Sequence, residues 1–199
     1  METKRDPYLN EMMIREAISY IHALFDGNSD GHDYEHSMRV YRNAMIIAES
    51  ESGCDKLIVS LAALLHDADD SKLFSTENNA NARRFLESQG VEQSMAEEIY
   101  LAINSVSFSK NQGKRPESLE AMIVQDADRL DAMGAVGIAR TFAYGGKHSR
   151  SLEDSIRHFS DKLLRLKAML NTDKAREMAE DRHSFMKDFL DEWEKETGK

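Results

Sequence analysis

LIVSLAALLHDADDSK, residues 57–72, carries more structural information than any other stretch of the chain. Residues 57–65 are apolar except for Ser60, and polar and apolar positions do not alternate as they would in a half-buried strand. A helix that is apolar almost all round is enclosed by others, so the stretch predicts a central buried helix over about residues 57–66. It is far shorter than the ~20 residues a membrane-spanning helix needs. Its end is the unusual part. His66-Asp67 places an ionisable pair against a core, which is costly unless the pair is hydrogen-bonded or ligates a cation.

Working outward, the rest of the chain predicts the helices that would enclose it. Met95, Ile99, Ala102, Ile103 and Val106 recur at one-face helical spacing, as do Ile156, Phe159, Leu163, Leu166 and Leu170. Met178, Phe185, Met186, Phe189, Leu190 and Trp193 mark a last helix, with Thr172 as its N-cap. Ala, Leu, Met and Glu supply 67 of the 199 residues, whereas Val, Ile and Thr supply 22, a ratio that favours helix over strand. Polar or glycine-containing stretches at 26–32, 68–80, 107–118 and 144–151 read as loops. No linker separates two units, so the expectation is all-α, one helical-bundle domain over 1–199.

The formal charge of −10 argues against duplex nucleic acid and anionic membrane as partners, since both need a basic face. A single cysteine, Cys54, excludes an internal disulfide and a multi-cysteine zinc site. The opening METKRDPYLN lacks the apolar run of a signal peptide, and the expected compartment is the cytoplasm. The apolar faces of the C-terminal helices suit either closure of the core or a homodimer.

Two further stretches carry polar chemistry: GHDYEHSMRV (31–40), where a loop becomes a helix, and QDADRLD (125–131), within a helix. His32 and His36 are four apart, which suits a solvated helix face or a ligand pair. Asp126, Asp128 and Asp131 suit caps and surface ion pairs as readily as ligands. Taken together, a His/Asp set without sulfur suits Mn²⁺, Fe²⁺, Co²⁺ or Mg²⁺ with positions left for water. Lys72, Lys110, Lys114, Arg115, Lys147 and Arg150 all fall in loops beside these stretches, where a small polyanion would meet them. Lys114, Arg115 and Arg150 read as solvated loop charge. Arg39 and Arg129 read as anchors for carboxylates, and Gly134 and Gly137 as a close helix–helix crossing.

The order His36, His66-Asp67, Asp128 resembles the H…HD…D signature of the HD-domain metal-dependent phosphohydrolases. The stretches 31–40, 62–72, 123–146 and 158–190 are similar to the small bacterial single-domain type that converts deoxynucleoside triphosphates to monophosphate and pyrophosphate. The resemblance implies His36, His66, Asp67 and Asp128 as ligands of one divalent ion, Mn²⁺ first, with Mg²⁺, Fe²⁺ or Co²⁺ as the other choices. It also implies Asp70 as the acid that orients or deprotonates the attacking water held by that ion, with Glu35 as runner-up. Lys72 is the first choice for phosphate contact, followed by Lys110, with Arg140 reaching the site and His32 touching phosphate from outside the ligand set. Asp69 is assigned to solvent or the neighbouring turn. The expected function is metal-dependent hydrolysis of a small nucleotide at its phosphoanhydride. The alternatives are an HD phosphodiesterase or phosphomonoesterase acting on another nucleotide, or a nucleotide sensor without hydrolysis.

Overall fold

The computed structural model describes residues 6–27, 33–107, 111 and 114–198. Among these, every regular element is helical. The α-helices are α1 (Pro7–Leu24), α2 (Tyr34–Ser50), α3 (Lys56–Leu65), α4 (Ala80–Ser88), α5 (Gln93–Val106), α6 (Leu119–Asp131), α7 (Gly134–Lys147), α8 (Leu152–Asp161) and α9 (Asp173–Thr197). A short 3-10 helix, Leu163–Met169, joins the last two. No helix among the described residues is long and apolar enough to cross a membrane.

Local chemistry accounts for where these helices begin. Asp33 caps α2 by accepting from the His36 amide at 2.8 Å, Asp55 caps α3 through the Leu57 and Ile58 amides, and Ser118 caps α6 through Ala121. Helix α3 is the centre of the molecule, with residues 57–65 all buried. It packs against α1, α2, α5 and α6, which take up its apolar surface on every side. Leu61, Leu64 and Leu65 of α3 are fully buried, each worth roughly 1.5–3 kcal/mol of apolar burial.

Two expectations about the C-terminal half need correction. The periodicity from Ile156 to Leu170 does not form one α-helix: α8 stops at Asp161, Lys162 breaks the run at φ −135°, ψ −59°, and the chain continues as 3-10 helix. Leu163 and Leu166 are both buried, and their spacing of three suits the 3-10 turn as well as the α-helical one. The second correction concerns 144–151. Helix α7 runs through Tyr144 to Lys147, so Gly145 and Gly146 lie in its last turn. A Cβ on Gly145 would stand 2.6 Å from the Ser155 hydroxyl, so the missing side chain lets α7 and α8 approach.

Helix α9 is fixed by polar clamps. Asp126 of α6, fully buried, accepts from the backbone amides of Asn171 and Thr172 and from both their side chains, at 2.8–2.9 Å. Arg182 reaches back from α9 to the Leu130 carbonyl at 2.6 Å and the Asn43 side chain at 3.0 Å. Gly134, at φ +68°, lies under Arg182, whose Cβ would be 3.1 Å from an added methyl. Gly134 therefore meets the crossing expected of it. Gly137 instead packs on the Ala132 carbonyl at the end of α6.

Candidate metal centre

Three elements bring the ionisable stretches to one point. His36 sits in the first turn of α2, His66 and Asp67 follow the last turn of α3, and Asp128 lies in α6. His36 Nε2 stands 3.2 Å from His66 Nε2, 3.3 Å from Asp67 Oδ2 and 3.4 Å from Asp128 Oδ1. His36, His66 and Asp67 are buried, and together they form a candidate site for a metal ion.

The outer nitrogens of the two rings explain why a cation fits there. His36 Nδ1 donates to Asp131 Oδ2 at 2.7 Å, and His66 Nδ1 donates to the Ala63 carbonyl at 2.8 Å. Those partners assign the proton of each neutral ring to Nδ1 and leave both Nε2 lone pairs facing each other and two carboxylates. Four electron-rich atoms converging in a buried place repel one another unless positive charge lies among them. Burial opposes protonation of His36, but its hydrogen bonds to Asp128, Asp131 and Asp67 outweigh burial and raise its pKa well above the usual histidine value. His66 is raised in the same sense, Asp67 outweighing burial. Two imidazoles and two carboxylates without sulfur suit a divalent ion of the Mn²⁺ or Mg²⁺ kind.

Asp131 holds the arrangement from behind. It is 2% exposed and accepts from His36, from Arg39 Nε at 2.6 Å and from Arg140 Nη1 at 2.5 Å. These partners overcome burial and keep its carboxyl far below the ordinary range. Sequence reading missed this role, although it assigned Arg39 correctly to a carboxylate. Arg129 also stands by a carboxylate, 4.0 Å from Asp126 Oδ1, while donating to the Met169 carbonyl.

The candidate ligands His66, Asp67 and Asp128 line a cavity of about 560 Å³, wide enough for a nucleotide. Asp70 lines it too, its Oδ1 accepting from the Lys72 amide at 2.8 Å in the turn after the HD pair. Lys72, Arg140 and Arg150 line the same space. Arg150, read as solvated loop charge, is half-buried after the end of α7, lies 5.3 Å from the centre of the Tyr144 ring and lines the cavity. Lys114, Arg115 and Lys147 are exposed, and none of them lines the cavity. Glu35 is exposed on the first turn of α2 and does not line it either. Asp69 caps α4 from outside, accepting from the Asn81 and Ala82 amides at 2.9 and 3.0 Å. His32 and Lys110 lie outside the described residues.

Two cavity residues, His158 and Lys162, went unassigned in the sequence. They lie more than ninety positions after the HD pair, His158 in the last turn of α8 and Lys162 at the break that follows it. Burial pushes Lys162 down from the usual lysine value, Asp128 opposes this, and Lys72 and Arg140 push it further down. His158 is pushed down by burial and by Lys162 and Arg150. Mutually repelling cations thus collect beside an acidic metal site, an arrangement that an anionic ligand relieves.

A helical bundle with His36, His66-Asp67 and Asp128 at its centre is the architecture of the HD-domain class, and residues 33–133 match the HD domain model. The chain belongs to the HD-domain family. Its relatives include YpgQ of Bacillus subtilis (strain 168), 42% identical over 187 residues, covering 89% of this chain and 90% of YpgQ. The crystal structure of Bacillus subtilis YpgQ in complex with ADP superposes with a TM-score of 0.79 at 37% identity, covering 92% of this chain and 97% of that one. An HD-superfamily hydrolase from Bacillus thuringiensis superposes with a TM-score of 0.77 at 35% identity, covering 95% and 98%.

Proposed function

We propose that the protein is a metal-dependent phosphohydrolase that converts deoxynucleoside triphosphates to the monophosphate and pyrophosphate. The observation that carries the reading is the pairing of two opposed charge features in one cavity. His36, His66, Asp67 and Asp128 offer a cation a place at its floor, and Lys72, Arg140, Arg150 and Lys162 line the same cavity and offer positive charge to an anion. The family membership supports hydrolysis, and the ADP complex of YpgQ supports a nucleotide as substrate.

Under this reading His36, His66, Asp67 and Asp128 hold one divalent ion. Such an ion lowers the pKa of a water and polarises a phosphoryl oxygen. Asp70 holds the attacking water and accepts its proton, fixed in place by the Lys72 amide. Lys72, Lys162 and Arg140 draw negative charge from the phosphate oxygens as it develops. Water adds to the α-phosphorus, the bond to the bridging oxygen breaks, and pyrophosphate leaves. Asp131 keeps the His36 proton on Nδ1, so that Nε2 remains a ligand.

The test is phosphorus NMR of metal-reconstituted protein incubated with each of the four deoxynucleoside triphosphates. Pyrophosphate and monophosphate in equal amounts are expected. Stepwise release of orthophosphate, or no turnover with Mn²⁺, Mg²⁺ or Co²⁺, removes the assignment.

A further inference from the structure

A second cavity of about 480 Å³ opens beside the first, between the turn before α4 and helix α5. Asp69, Ser71, Asn79 and Asn104 line both, so the two spaces adjoin. Their characters differ. The metal cavity carries the cations, whereas the second is walled by amides, hydroxyls and acids, with Arg83 its one cation among the described residues. Arg83 is already engaged, donating to the Asn78 carbonyl at 2.7 Å and lying 4.2 Å over the Tyr100 ring. Polyphosphate therefore belongs in the first space, and a neutral polar group in the second.

Asn79 is placed for such a group. It occupies the N-cap position of α4, where an asparagine side chain ordinarily accepts from the helix amides. Here it makes no cap hydrogen bond, because Asp69 has taken the Asn81 and Ala82 amides. Its backbone is left-handed at φ +56°, following Asn78 at φ +54°. Asn104 is exposed on α5, next to buried Ile103, which lines the metal cavity along with Val106. Thr76, on the wall of the second cavity, has a buried hydroxyl with no hydrogen-bond partner. A carboxamide presents one acceptor and two donors, the complement of a nucleobase edge.

Resting on the nucleotide reading above, we infer that Asn79 and Asn104 form the nucleoside subsite and set the base preference. The triphosphate lies along Lys72, Arg140 and Lys162. The base lies over Ile103 and Val106 and presents its polar edge to the two carboxamides.

The test uses Asn79→Gly, which removes the carboxamide but keeps a residue at ease at positive φ, with Asn104→Ala and the double variant. Steady-state kinetics with the four deoxynucleoside triphosphates and equilibrium binding of inorganic tripolyphosphate are the readouts. The wild type is expected to discriminate among the bases, and the double variant to lose about tenfold of that discrimination through KM. Binding of tripolyphosphate, which has no base, is expected to shift less than twofold. A wild type indifferent to the base, or variants that keep its preference, overturns the subsite. If the wild type turns over no deoxynucleoside triphosphate, the parent reading fails instead. Binding then decides the subsite: tighter binding of the nucleotide than of tripolyphosphate by the wild type, lost in the double variant, upholds it, and equal binding overturns it.

Discussion

Asp131 shows how one residue governs atoms it does not present to a substrate. Its carboxylate fixes the His36 proton on Nδ1 and is itself held by Arg39, 92 positions earlier, and Arg140, 9 positions later. Asp131→Asn removes the charge that orients the ring, and metal affinity should fall about 10–100-fold, measured by Mn²⁺ titration calorimetry, with helicity retained. An unchanged affinity would show that the ring needs no such support. His158 gives a separate prediction. Burial first, then Lys162 and Arg150, depress its native pKa, so the unfolded chain binds its proton more readily than the folded one. Stability from neutral His158 is then full above the unfolded value of about 6.5 and is lost as pH falls from there through the depressed folded value. The thermal midpoint of the wild type should drop more between pH 7.5 and 5.5 than that of His158→Gln. Equal drops would discard the cause. At this scale the sequence was legible where a motif adjoins an apolar run, as at His66-Asp67. It was opaque at Asp131, because Arg-Leu-Asp in a helix reads as a surface ion pair until the partners are seen.

Among the elements, α3 was the most legible because a helix apolar on every side has only one place to go. Leu61→Ala there should cost about 2–5 kcal/mol by denaturant unfolding, as for other large-to-small changes at fully buried leucines. The segment from Ile156 to Leu170 was misread for an equally physical reason. Spacings of three and four serve an α-helix and a 3-10 turn alike, and the deciding contact is remote. That contact is Asp126, which pins Asn171 and Thr172 and so fixes where the chain must arrive before α9 begins. Asp126→Ala would leave several buried donors unpaired and should cost about 3 kcal/mol in the same measurement. A loss below about 0.5 kcal/mol would mean that water replaces the carboxylate without penalty.

Across the whole molecule, the charge of −10 is unevenly spread. Acidic side chains gather at the floor of the cavity, and Lys72, Arg140, Arg150 and Lys162 stand beside them. Positive charge gathered at one place can draw in a small polyanion despite an overall negative charge. Raising ionic strength should weaken that local attraction, so KM for the triphosphate should rise severalfold between about 50 and 500 mM salt while kcat changes little. The proposed chemistry depends on a cation among His36, His66, Asp67 and Asp128, and the metal content of purified protein measures it directly by mass spectrometry. The wild type should carry close to one divalent ion per chain after reconstitution and dialysis, and Asp67→Ala almost none. Equal metal in the two proteins would contradict the account at its centre.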